Sequence, residues 1–62
     1  MKIRFTYVNR RNKTIESMYL NVNEFENNSD TYKRVELEIF NKLYNEPTYN
    51  DDIHIVNYFI LK

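Results

Sequence analysis

Ile53-His54-Ile55-Val56-Asn57-Tyr58-Phe59-Ile60-Leu61 is the most apolar stretch of the chain. β-branched and aromatic residues dominate it, and it is long enough for one full strand. Strict alternation places Ile53, Ile55, Phe59 and Leu61 on one side around Asn57, and Val56, Tyr58 and Ile60 on the other. Both sides are then apolar, so both require cover. A chain of 62 residues has little to spare for that. It is read as one domain over residues 1–62 that buries only roughly 60% of its unfolded surface.

Working back from this strand, residues 2–8 alternate as well. Ile3, Phe5 and Tyr7 share one face, and Lys2, Arg4, Thr6 and Val8 the other. Asn9-Arg10-Arg11-Asn12 follows as a polar hairpin connection of about four residues, since no Gly is present for a tighter turn. Residues 13–22 form the second strand, with Met18, Leu20 and Val22 toward the core and Ile15, Ser17, Tyr19 and Asn21 away from it. The next stretch is a polar, acidic loop around Phe25, which is expected to tuck under a helix.

The helix is predicted over about residues 30–45, capped by Ser29 or Asp30 and ended by Glu46-Pro47. Tyr32, Val35, Ile39 and Leu43 make one apolar stripe, and Leu37, Phe40 and Tyr44 a second. The element order is ββαβ, an α+β fold: a three-stranded, mainly antiparallel sheet with one helix on one face. Placing the third strand beside the first gives the order 2-1-3 and avoids a parallel crossover. The expected core is Ile3, Phe5, Met18, Leu20, Val22, Val35, Ile39, Leu43, Ile55 and Phe59.

A core of this size rarely supplies more than about 3–5 kcal/mol, so small folds usually carry a staple. There is no Cys for a disulfide, and one His cannot build a zinc cluster. No cofactor is expected. Ten residues are Phe or Tyr, a heavy ring content for this length. Association is the remaining way to use it, through a homodimer across the apolar C-terminal edge strand or through another protein. No apolar run approaches the roughly 20 residues of a membrane span. The opening residues lack a signal-peptide pattern, so the expected compartment is the cytoplasm and no membrane partner is expected.

Catalysis finds little support. His54 near Asp51 or Asp52 is the one candidate base, and Asp51, Asp52 and Glu46 the one candidate cation site. The simpler reading is an exposed strand start beside a solvated loop. Without Gly there is no phosphate-cradling loop. The chain is therefore read as non-catalytic.

Net charge is zero, but charge is segregated along the chain. Lys2, Arg4, Arg10, Arg11 and Lys13 come first without an acid, followed by Glu16, Glu24, Glu26 and Asp30 without a base. Two partner classes follow. For a protein partner, the contact candidates are Phe40, Tyr44, Tyr49 and Tyr58, with Glu24 and Glu26 supplying an acidic, phosphate-like patch. For nucleic acid, Arg10, Arg11 and Lys13 would grip phosphates, with Arg4 beside them and Tyr19 as a stacking platform. Overall neutrality makes the second weaker.

Asn, Ile, Tyr, Lys and Phe make up half the chain, while Gly, Ala, Trp and Cys are absent. This vocabulary is that of AT-rich codons. With the small size and plain ββαβ pattern, it resembles small phage-encoded proteins, including anti-CRISPR and other counter-defence inhibitors. That resemblance is one of composition and implies an inhibitor or regulator of a host or phage protein acting by steric occupation. A chain without Gly must also place other residues, Asn above all, wherever a positive φ is needed.

Overall fold

A computed structural model describes residues 1–46 and 51–61. β1 (Lys2–Asn9), β2 (Thr14–Asn21), α1 (Ser29–Tyr44) and β3 (Ile53–Leu61) follow in the order ββαβ. The three strands form one antiparallel sheet in the order β2-β1-β3, with β1 at its centre. The α+β class and the strand order are those expected from the sequence. No helix among the described residues is long and apolar enough to cross a membrane.

The hairpin closes on the pair Asn9 and Thr14, leaving four residues in the turn. Asn9 is the reason it closes there. Its side-chain oxygen accepts the backbone N–H of Arg11 at 3.1 Å and of Asn12 at 3.3 Å, so one side chain folds the turn back on itself. Lys13 then takes φ 59°, a left-handed conformation usually left to Gly or Asn.

Asn28 caps the helix, its side chain accepting the Thr31 N–H at 2.9 Å. Ser29 and Asp30, the expected caps, are instead the first two helical residues. Asn45 ends the helix at φ 51°, where its N–H reaches the Asn41 carbonyl at 2.8 Å. Here Asn does take the place of the missing Gly.

One face of the sheet lies under α1. Ile3, Phe5 and Tyr7 of β1, Leu20 of β2, Ile53 and Ile55 of β3 and Val35, Ile39 and Phe40 of α1 form the buried core. Six of the ten expected core residues are in it; Met18 and Val22 pack against it, half-buried. Leu43 is 38% exposed and Phe59 is 59% exposed. Both corrections have a geometric cause. The helix turns Thr31, Val35, Ile39 and Phe40 inward; Leu37 lies on its other side, and Leu43, one turn beyond Ile39, falls in the last turn before the helix ends at Tyr44.

Phe59 is displaced by a β-bulge. Tyr7 pairs with Ile55, but Thr6 pairs with Asn57, so Val56 is an extra residue opposite no partner. Beyond it every side chain changes side. Tyr58 and Ile60 take the helix side with Ile53 and Ile55, and Asn57, Phe59 and Leu61 turn to the other. Phe25 fills the end of the core that this opens, with ring centroids 4.7 Å from Tyr58 and 5.5 Å from Phe5.

Candidate interaction surface

Among the described residues, no element covers the second face of the sheet. Alternation assigns it Lys2, Arg4, Thr6 and Val8 from β1, and Ile15, Ser17, Tyr19 and Asn21 from β2. From β3 it takes His54 by alternation and, beyond the bulge, Asn57, Phe59 and Leu61. Ile15 is 74% exposed, Tyr19 53% and Phe59 59%, although all three belong to regular strands. The register aligns them in rows. Arg4 sits opposite Tyr19 on one side and opposite Phe59 on the other, so a central cation is flanked by two rings. Its guanidinium carbon lies 5.9 Å from the Phe59 centroid, and the Lys2 ammonium lies 5.3 Å from the Tyr19 centroid. Among the described residues, no carboxylate belongs to this face.

The acids lie elsewhere. Glu24 and Glu26 are exposed between β2 and α1, where Glu26 accepts the Asn28 side-chain amide at 2.9 Å. Glu24 also lines an open groove of about 540 Å³ with Arg34, Glu38 and Val35. Glu46 and Asp52 converge on the hairpin turn. Arg11 binds Glu46 through two nitrogens at 2.9 and 3.2 Å and Asp52 through Nε at 3.3 Å. Its guanidinium stacks over Tyr44 at 4.2 Å and reaches Phe40 at 5.2 Å. The hydrogen bonds from Arg11 hold the Glu46 carboxyl below the usual range. Arg10 is engaged too, through its N–H to the Asp52 carbonyl at 2.8 Å and its side chain to the Asp51 carbonyl at 3.4 Å.

This end of the molecule is thus a clamp rather than a free basic tip. Of the nucleic-acid candidates, Arg4 and Tyr19 are brought together, Arg10 and Arg11 are occupied internally, and Lys13 serves the turn. Of the protein-contact candidates, Phe40 is fully buried and belongs to the core. Tyr44 spends its hydroxyl on Asn9 at 2.7 Å and its ring on Arg11. Tyr58 is half-buried in the ring cluster of Phe25 and Tyr32. Tyr49 lies outside the described residues.

His54 and two of the three candidate acids have separate partners. The nearest carboxylate partner to His54 is Glu36, at 3.8 Å, and Asp52 and Glu46 face Arg11. No group of three His, Cys, Asp or Glu that could hold a metal occurs among the described residues.

The outer edge of β3 is already engaged. The Ile55 N–H donates to the Glu36 carboxylate at 3.0 Å, and the Tyr58 N–H donates to the Asn57 side chain at 2.9 Å. With the bulge between them, this edge carries two of the usual defences against strand addition. Lys2, Ile15 and Phe59 were not singled out in the sequence as contact residues. Alternation alone places Lys2 and Ile15 on the open face. Phe59 needed the bulge, which leaves no mark in the residue pattern. No protein-family model, curated protein or solved structure matches this chain.

Proposed function

We propose that this protein is a non-catalytic binding module that acts by steric occupation, laying the open face of its sheet on another protein as an inhibitor or regulator. The observation that carries this reading is the row Tyr19, Arg4, Phe59 on a face that no described element covers. Tyr, Phe and Arg are the side chains that concentrate binding energy at protein interfaces, because they bring large contact area at small entropic cost. Val8, Ile15 and Leu61 surround them, with Thr6 and Ser17 for hydrogen bonds. Among the described residues the face holds cations and no carboxylate, so the partner it suits presents acids among apolar groups. In this reading the protein works in the cytoplasm, on a host or phage protein.

The test is affinity capture from the cell of origin with the face varied. Arg4→Glu and Phe59→Ser each lose the retained protein, while Leu37→Ser on the helix side keeps it. Retention that ignores both open-face variants overturns the reading.

Lys2 and Arg4 lying over aromatic rings also suit single-stranded nucleic acid, whose bases stack on such platforms. That reading requires an oligonucleotide to bind at low salt, with affinity falling steeply as salt rises and falling again in Arg4→Ala. Absence of binding at low salt removes it.

A further inference from the structure

The two edges of the sheet are unlike. β3 is interrupted by its bulge, and the amides of Ile55 and Tyr58 are taken by the side chains of Glu36 and Asn57. β2 has none of these devices. It pairs with β1 over eight residues without a shift in register. It contains no Pro and no Lys or Arg. Among the described residues, no side chain or loop caps the backbone groups on its outer side. Its one charge is turned away: Glu16 accepts from the Thr14 hydroxyl at 2.6 Å and from Asn9 at 3.3 Å, over β1. A long, regular edge whose one charge is held over the neighbouring strand is a template for another strand.

We infer that β2 is the homodimerisation edge, pairing antiparallel with β2 of a second copy about a two-fold axis at Ser17. Self-complementarity selects both the partner and the register. Centring on Ser17 sets Ile15 of one copy opposite Tyr19 of the other, twice, on the same face. These are the two most exposed apolar side chains of the strand, and a β-branched residue against a ring is a favoured cross-strand pair. Centring on Glu16 opposes two carboxylates. Centring on Met18 sets Ile15 against Asn21. The Ser17 register joins two sheets into six strands in the order β3-β1-β2-β2-β1-β3. The two open faces become one continuous surface with two copies of the Tyr19, Arg4, Phe59 row. Dimerisation is accordingly placed at the hairpin strand rather than at the C-terminal strand that its apolar sequence suggested. The inference is independent of what the open face binds.

An eight-residue edge is narrower than a standard interface of roughly 1,200–2,000 Å², so dimer and monomer exchange with concentration. The chain has no Cys, which permits a direct test. Directly opposed antiparallel residues have Cα atoms about 4.5–5.5 Å apart, within disulfide reach. Ser17→Cys is therefore expected to form a covalent dimer under mild oxidation on the order of a hundredfold faster than His54→Cys at the β3 edge, because pairing concentrates the thiols locally. Sedimentation of the unmodified chain shows a reversible monomer–dimer transition. Ile15→Lys, at a position already exposed and hence compatible with folding, abolishes both the transition and the fast cross-link, with the circular dichroism spectrum unchanged. A chain monomeric at every concentration, or a His54→Cys cross-link as fast as that of Ser17→Cys, overturns the inference. Loss of a captured protein with dimerisation intact bears on the function proposed above and leaves this one standing.

Discussion

Replacing Asn9 by Ala isolates the interaction on which three elements meet. Asn9 is the last residue of β1 and is fully buried. Its oxygen accepts the Arg11 and Asn12 amides, which shape the hairpin, and its nitrogen donates to the Tyr44 hydroxyl at the end of α1. A fourth bond, from the same nitrogen to Glu16 on β2, is 3.3 Å long. A net value of about 1 kcal/mol for each of the other three gives a loss of roughly 3 kcal/mol. That figure leaves out the cavity and the partly buried Tyr44 oxygen stripped of its donor, so it is a lower one. A chain of this size holds only about 3–5 kcal/mol in all. Asn9→Ala is therefore expected to consume most of the stability and to leave a large unfolded fraction in buffer. Urea titration followed by far-ultraviolet circular dichroism measures it, with tyrosine fluorescence as a second probe because the chain has no Trp. A midpoint shift worth less than about 1 kcal/mol would refute the reasoning, since the buried amide would then contribute no more than one ordinary hydrogen bond.

Other consequences follow from the same geometry. Asn45→Ala places a Cβ without local polar compensation in a left-handed conformation and is expected to cost about 1 kcal/mol in the same titration. The Glu16 and Glu46 carboxyls are held below their ordinary value of 4.5 by hydrogen bonds, from Thr14 foremost and from Arg11 respectively. A lowered native pKa adds stability that is complete above that ordinary value and is lost as pH falls through the lowered one. The unfolding midpoint is expected to drop in acid, and less so in Glu46→Gln. Tyr7 behaves in the opposite sense: burial, then its hydrogen bond to Glu16, push its hydroxyl from 10.0 up to about 12. A raised pKa gives stability that is full below 10.0 and fades as pH rises toward 12, so alkaline melts should show a decline between those values that Tyr7→Phe removes. Deleting Val56 removes the extra residue and restores regular pairing while leaving Tyr58 and Phe59 on their present sides, so the fold is expected to survive it. Collapse of the near-ultraviolet signal on that deletion would show the bulge to be indispensable.

The residue pattern by itself determined a great deal here. Period-two alternation in residues 2–8 and 13–22 sorts each strand's side chains onto two faces, because adjacent side chains in a strand point opposite ways, while the hairpin register decides which face of the second strand meets the core. It also groups Lys2 with Arg4, and Ile15 with Tyr19, on the side away from the expected core. Polar Asn-rich breaks fix where strands and helix end, and a short helix return makes 2-1-3 the simplest order. Tertiary structure decided what depends on groups distant in sequence. The bulge at Val56 arises from pairing with β1, and it alone sends Phe59 outward and Tyr58 inward. The pairing of Arg11 with Glu46 and Asp52 spans 35 and 41 residues and turns an apparently free basic tip into a clamp. The Glu36 carboxylate on the Ile55 amide, reaching from helix to sheet edge, closes the strand whose composition most invites a partner. Alternation and turn chemistry are local and can be read along the chain; register shifts, ion pairs and edge caps exist only after the elements have met in space.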